Sequence, residues 1–481
     1  VANPLDPKPL LATRRHFLHD CRVGLGGIAL GSLLQQEGVI EAGQQASSVS
    51  GEVRPFHIPP RAKRVIFLFM AGGPSQLDLF DYKPKLQQFS GQAVPPSMLE
   101  GKRFSFLTRE DTLLGTGRKF ARYGQSGQEV SECLPYFARI ADDVAIVKSM
   151  ATDVFNHGPA KFLTNTGYPR LGFPSMGAWV SYGIGSESKN LPAFIVLQSG
   201  PRGPRGGSPL WGSGFLPSQH QGVAFRAEGD PITYLENPAG MSRARQHDFL
   251  GAVADLNRYR FEVTGDPEIK TRIASYEMAF RMQQAAPEVM DLSGETAATL
   301  SLYGAERQKP SFAKNCVLAR RLVERGVRFV QLIHTDWDHH GGLTTNLAES
   351  LDEICQQVDR PAAALVTDLK QRGLLDDTLV VWGGEFGRTP QGEIRERVGR
   401  DHHIDAYTMW LAGGGIKPGL TLGKTDELGF RSVEDRVHVH DLQATLLHLL
   451  GLDHLKLTHR FQGRDFRLTD VGGTVIDKLL A

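Results

Sequence analysis

The apolar positions of this chain change period several times, and the changes outline a fold. Residues 64–71 (RVIFLFMA) form an unbroken apolar run, the pattern of a strand buried on both faces of a parallel sheet. Gly72-Gly73-Pro74 ends the run and leaves Ser75 to Asp81 in a loop at its carboxyl end. Segment 131–142 (SECLPYFARIAD) predicts a helix leading into a strand over 143–150, and 192–198 predicts another buried strand. Ser175 is placed to cap a helix running through Tyr182.

The middle of the chain changes character. Residues 200–240 are rich in Gly, Pro and Ser and predict irregular structure, whereas 241–290 predict amphipathic helices. Regular alternation then sets in. A helix ending near Arg325, stopped by Gly326, precedes a strand over 327–334. A helix over 347–372, kinked or restarted at Pro361, precedes the strand TLVVW at 378–382. Residues 408–412 give one more strand, and Asp441 caps a helix to Leu450 that Gly451 stops. This alternation predicts an α/β fold with a mostly parallel sheet and helices on both faces. The expected division is a signal and linker over 1–50 and one α/β domain over 51–481, with an irregular and helical insertion at about 200–310.

Charge adds one exclusion: a formal balance of +1 carries no footprint of a nucleic-acid partner. The four cysteines form no CxxC pair, which disfavours a zinc ribbon or thioredoxin-like motif. Cys316 and Cys355 fall in predicted helices, where buried free thiols are expected. The amino terminus says more. Thr13-Arg14-Arg15-His16-Phe17-Leu18 precedes a glycine-rich apolar run over 23–34, which resembles a twin-arginine export signal. A membrane span needs about 20 apolar residues, and this run is shorter. The implied location is the periplasm or cell envelope, with the twin-arginine export machinery as a partner. A basic surface helix is the open alternative.

Ten of the sixteen histidines lie between His334 and His459. His334-Thr335-Asp336-Trp337-Asp338-His339-His340 follows a predicted buried strand and puts five ionisable side chains in seven residues. A divalent metal compensates carboxylates and neutral imidazoles together; a solvated polar loop is the alternative. Three further strand-end loops carry Ser75, Asp78 and Asp81, then Glu385 and Arg388, then Asp401, His402 and His403. On one parallel sheet such tips converge.

The strings FMAGGPSQLDLFD, NHGPAKFLTNTG, PSMGAWVSYG, DWDHHGG, VVWGGEFGRTPQGE, GRDHH, TMWLAGGGIKPG and HVHDLQATLLHLLGL span about residues 60–475. They resemble DUF1501, an exported bacterial family of unknown function, often labelled sulfatase-like, within the alkaline phosphatase superfamily. The resemblance implies the alkaline-phosphatase-like three-layer fold, two metal ions and a nucleophile at the strand ends. For the first metal it implies Asp336, His340 four residues later and the distant His403, with Asp338, and after it His339 or His402, joining or orienting them. For the second, the superfamily's aspartate position holds Gly72 and its Asp-His pair reads Glu385-Phe386, which leaves Asp78 and Glu385 as oxygen ligands. Counting back from Thr166-Gly167 puts Asn156-His157 at the nucleophile position, so His157 is the candidate nucleophile, ligand or general acid/base. Type I sulfatases resemble one another in a Cys- or Ser-x-Pro-x-Arg signature, and both Cys133-Leu134-Pro135-Tyr136-Phe137 and Ser199-Gly200-Pro201-Arg202-Gly203 fail its last position. Arg388 is a candidate for a forked contact with an anionic oxygen, and His438 and His440 line the site or face water.

The resulting expectation is a hydrolase of phosphate or sulfate esters, or of a related anionic group. It carries one or two divalent metals, zinc first and manganese or calcium after it, and takes a small ester or a sulfated or phosphorylated polymer. A non-catalytic, metal-stabilised binding or scaffold protein of the envelope is the rival, and a phosphomutase or transferase a second.

Overall fold

The computed structural model describes residues 56–481 except 103, 109, 227–229 and 233–234. The twin-arginine segment and its apolar run lie outside the described residues.

Nine strands build one sheet: β1 (Arg64–Met70), β2 (Val144–Ala151), β3 (Phe194–Ser199), β4 (Val223–Phe225), β5 (Phe329–His334), β6 (Thr378–Gly383), β7 (Tyr407–Ala412), β8 (Thr421–Leu422) and β9 (Val437–His438). Their order is β8-β2-β7-β6-β1-β5-β3-β4, with β9 also beside β2. β1 lies at the centre, parallel to β5 and β6. Only β7 runs against its neighbours, β6 and β2. The unbroken apolar run of β1 follows from this place: Val65 through Met70 are each at most 1% exposed, because both edges and both faces are covered.

Strand side chains alternate between faces. Val65, Phe67 and Phe69 join Val381, Met409, Trp179 and Leu446 in one apolar cluster, which brings in α1 (His157–Thr166), α2 (Met176–Ile184) and, late in the chain, the helix Val439–Leu449. Trp382 and Trp410 face the other way, stacked at 6.2 Å and met by Phe80 and Phe137. Each such burial contributes roughly 1.5–3 kcal/mol. Helix Phe312–Glu324 packs on β5 and helix Glu349–Gln371 packs against it. The result is a three-layer α/β fold with a mostly parallel sheet.

Several local expectations are revised. Residues 131–142 form no α-helix; a short strand Gln128–Ser131 leads into 3₁₀ turns over Phe137–Asp143. Pro135 lacks an amide and turns the preceding residue from helical angles, and the Asp359 carboxylate takes the amides of Tyr136 (2.7 Å) and Phe137 (2.8 Å). Helix Glu349–Gln371 passes through Pro361 without a restart; Gln357, whose carbonyl loses its amide partner, is exposed. Loop 75–81 contains a four-residue helix, Gln76–Leu79. His438, not Asp441, caps the last helix, and Asp441 returns to accept the His438 amide at 2.8 Å. Ser175 stands at its N-cap, but its hydroxyl bonds the Gly212 carbonyl at 2.9 Å.

The stretch read as irregular contributes β4 to the main sheet. Two long helices follow, Arg243–Thr264 and Pro267–Met290. Residues 236–280 group apart from the compact unit to which the other described residues belong. No helix among the described residues is long and apolar enough to cross a membrane.

Candidate metal centre

Sheet direction decides which loops meet. β1, β5 and β6 are parallel and end at one edge of the sheet. β7 runs against β6, so its beginning lies at that edge, and β2, which runs against β7, ends there too. The loops after β1, β2, β5 and β6 and the segment before β7 therefore converge. The apposition is fixed by a two-residue antiparallel pairing of His402–His403 with Gly387–Arg388.

Four side chains from these tips meet: His157, Asp338, His340 and His402 place ligand atoms within 4.8 Å of one another. Oδ1 of Asp338 lies 3.0 Å from His157 Nε2, 2.8 Å from His340 Nε2 and 3.7 Å from His402 Nε2. The imidazoles are held from behind. His157 Nδ1 faces Glu385 Oε1 at 2.7 Å, His340 Nδ1 faces Glu393 Oε2 at 2.5 Å, and His402 Nδ1 faces the Phe155 carbonyl at 2.6 Å. A carboxylate or a carbonyl only accepts, so each Nδ1 carries a proton and each Nε2 is turned inward toward Asp338.

That arrangement fits a divalent metal. Nε2 of His157 is buried and has no hydrogen-bond partner among the described residues, and Nε2 of His340 and His402 are only 2.8 Å apart. A cation shared by these inward nitrogens and the Asp338 carboxylate would satisfy them together. Three imidazoles and one carboxylate form a zinc-type donor set, and acceptors behind the ligand rings fix tautomer and orientation. Burial pushes His402 down to about 4, which keeps it neutral. Burial would also lower His340, but Asp338 and Glu393 outweigh it and raise it.

Arg388 and Gly72 complete the floor. Burial alone would raise the Asp338 carboxyl; the Arg388 guanidinium beside it holds it well below the usual carboxylate range. Arg388 Nη2 is 2.6 Å from Asp338 Oδ1, its other donors reach the carbonyls of Gly72, Gly73 and Arg400, and Nη1 also lies 3.2 Å from His340 Nε2. It is fully buried, so it presents no fork to an outside anion. Gly72 has φ +127°, and a Cβ there would stand 2.8 Å from the backbone of Trp337 and Asp338. Only glycine lets these two loops touch. Its amide reaches both oxygens of Glu385 at 3.1 Å. Burial acts to raise Glu385, but Lys161, His157 and this amide bring it down to about 2.

Residues 62–480 match the family described as "Protein of unknown function (DUF1501)". The chain belongs to this family. No curated protein matches the sequence. Among solved structures, it is similar to a lipoteichoic acid synthase from Listeria monocytogenes, with 10% identity and a TM-score of 0.38, covering 89% of this chain and 79% of that one. It is similar to the alkaline phosphatase from the Antarctic bacterium TAB5, with 10% identity and a TM-score of 0.33, covering 82% and 99%. A phosphonate monoester hydrolase from Silicibacter pomeroyi gives 13% identity and a TM-score of 0.33, covering 86% and 78%.

Within this DUF1501 chain, Asp336, His340 and His403 do not meet as a set. Asp336 is ion-paired with Arg202 at 2.6 Å and has φ +77°. His403 is buried near Phe430, on the other side of the strand from His402. Neither belongs to a group of converging ligand atoms among the described residues. Asp78 is ion-paired with Arg400 at 2.8 Å, so it does not reach Glu385. A second grouping, His340 with Glu393 and Asp401, is also close, yet Asp401 is spent on the amides of Ser105, Phe106, Leu107 and His402. Asn156 is an exposed N-cap whose side chain makes no capping bond. His438 pairs with Asp153 at 2.9 Å, and His440 faces the Gly167 carbonyl.

Sequence reasoning missed Lys161, Arg202, Glu393 and Arg400. The first had a signal: Lys161 lies one helical turn after His157 and shares its face. A pocket opens on His157 and Asp338 and is lined also by Gly72, Lys161, Arg202 and Asp336.

Proposed function

We propose that this DUF1501 chain is an exported metal-dependent hydrolase of phosphate or sulfate esters, or of a related anionic group on a small molecule or a polymer. One observation carries the reading: three imidazole Nε2 atoms converge on Asp338 at the wall of a pocket that also holds Lys161 and Arg202. We assign Asp338, His340, His402 and His157 as ligands of one divalent ion, zinc first, with manganese or calcium as alternatives. When bound, such an ion supplies Lewis acidity toward an ester oxygen and toward water. Glu385, Glu393 and the Phe155 carbonyl orient the ligands. Arg388 compensates Asp338 from beneath. Lys161, which lines the opening, draws the anionic group toward it. His157 stands where cluster and pocket meet, and with Nδ1 held by Glu385 it presents Nε2 to the ion.

The closed, four-ligand character of the set favours a second reading, a metal-stabilised binding or scaffold protein of the envelope, since structural zinc sites are closed in this way. Elemental analysis together with an ester panel separates the two. The hydrolase reading expects one tightly held ion per chain and turnover of a phosphomonoester, phosphodiester or sulfate ester. A protein with its ion bound and inert across the panel would replace it by the scaffold reading.

A further inference from the structure

We infer that the pocket beside the metal centre selects a doubly charged tetrahedral head group, as a phosphomonoester presents, through Lys161 and Arg205. The inference rests on the metal-site assignment above and concerns what that site accepts.

Arg205 lines the same pocket as Lys161, His157 and Asp338. The carboxylates near it already have cations: Asp336 has Arg202 at 2.6 Å, Asp338 has Arg388 at 2.6 Å, and Glu385 has Lys161 at 3.7 Å. Two cationic groups keep unspent donors. Lys161 is only 4% exposed, and at 3.7 Å its contact with Glu385 is one of charge rather than a hydrogen bond. The Glu385 oxygens are taken by the Gly72 amide and His157. Among the described residues the Lys161 ammonium meets no acceptor at hydrogen-bond distance, and it opens on the pocket. Arg205 is exposed and has no carboxylate partner among the described residues.

Charge then sets the ligand class. With each carboxylate matched, a divalent ion in the cluster brings two positive charges and Arg205 a third. A dianion offsets two of these and a monoanion one, and uncompensated charge is costly where walls are buried. Lys161 sits on α1 four residues after His157, so its ammonium and the cluster reach the same ligand from one helix face.

The test uses methylphosphonate and methanesulfonate, tetrahedral anions alike in shape that differ by one charge when fully ionised, and neither has an ester to cleave. Titration calorimetry on the zinc-loaded protein should show the phosphonate binding at least about tenfold more tightly. Lys161→Gln and Arg205→Gln should each weaken phosphonate binding about tenfold, weaken the sulfonate less and keep the zinc content by elemental analysis. Equal affinity for the two anions, or phosphonate affinity unaltered in both variants, overturns the inference. Arg205 is exposed, so Arg205→Gln decides the matter even where Lys161→Gln fails to fold. The hydrolase reading fails separately: selective binding with no ester turnover removes that reading alone, and turnover with unselective binding removes this inference alone.

Discussion

Asp338 and Asp78 stand at the same edge of the sheet, each beside a fully buried arginine, and the difference between them separates a ligand set from an ion pair. Arg400 holds Asp78 at 2.8 Å, Ser75 donates its hydroxyl to the same carboxylate, and the guanidinium also bonds the Leu114 and Thr389 carbonyls. Donors and acceptors there balance within the protein. Asp338 also has its arginine, but three imidazole nitrogens face it as well, and a divalent cation would satisfy all four groups together. Proximity of charged groups does not make a metal site; lone pairs left over after every protein bond is made do.

The strongest way to break this comparison is to remove each carboxylate. Four-ligand zinc sites are worth roughly 10–16 kcal/mol, so Asp338→Ala should weaken zinc on the order of a thousandfold, about 4 kcal/mol. Competition with a chelating dye measures it. Asp78→Ala should do the reverse: zinc stoichiometry stays, and urea unfolding shows a loss of about 3 kcal/mol, because Arg400 is left buried without its anion. If Asp78→Ala released the metal, the two regions would be one site.

Acid sharpens the same contrast. Burial tends to raise Asp78, but Arg400 prevails and its carboxyl titrates below the ordinary 3.8. A depressed folded value gives stabilisation that is fully present above 3.8 and is lost as pH falls through the folded value. Unfolding midpoints recorded through that window should fall more steeply in the parent than in Asp78→Ala. Equal slopes would mean that Arg400 does little for Asp78.

The contact behind the imidazole should matter less than the ligands themselves. Glu393→Gln should weaken zinc about tenfold, the low end for an outer partner, because a glutamine oxygen can still accept from His340 Nδ1. Unchanged affinity would show that His340 needs no orientation from Glu393.

The parts of the site that were legible in the sequence are those set by strand ends. Unbroken apolar runs followed by Gly-rich loops located β1, β5 and β6, and the polar tips after them do converge. What could not be read is which member of each neighbouring pair turns inward. His402 and His403 lie on a two-residue strand and point to opposite sides, so the choice depends on how that strand pairs with Gly387–Arg388, a long-range fact. Asp336 and Asp338 pose the same problem around a bend whose shape depends on Gly72 pressing against Trp337. The role of Arg388 was hidden because, besides Asp338, its guanidinium is held by backbone carbonyls, which no residue pattern displays. The 3₁₀ turns over Phe137–Asp143 were hidden likewise, since their leading amides are claimed by distant Asp359.

The smallest expected effect is the most discriminating, because it tests the resemblance against the geometry. The alkaline phosphatase pattern points to Asp336 as a ligand, whereas its carboxylate faces Arg202 from a backbone at φ +77°. Asp336→Gly removes the carboxylate and suits the left-handed backbone. Relief of that conformation is worth about 1 kcal/mol; the added freedom of an unfolded glycine takes back roughly 0.4–1 kcal/mol. The lost ion pair is half exposed at Arg202, with 51% and 26% side-chain exposure, and contributes at most about 0.5 kcal/mol. These nearly cancel, so the unfolding midpoint should hardly move and zinc affinity should stay within about twofold, since no ligand is lost. A tenfold fall in zinc affinity with stability intact would return Asp336 to the metal and require the loop after β5 to close differently when the ion binds. An unchanged affinity would leave Asp338, two residues on, as the carboxylate that does the holding.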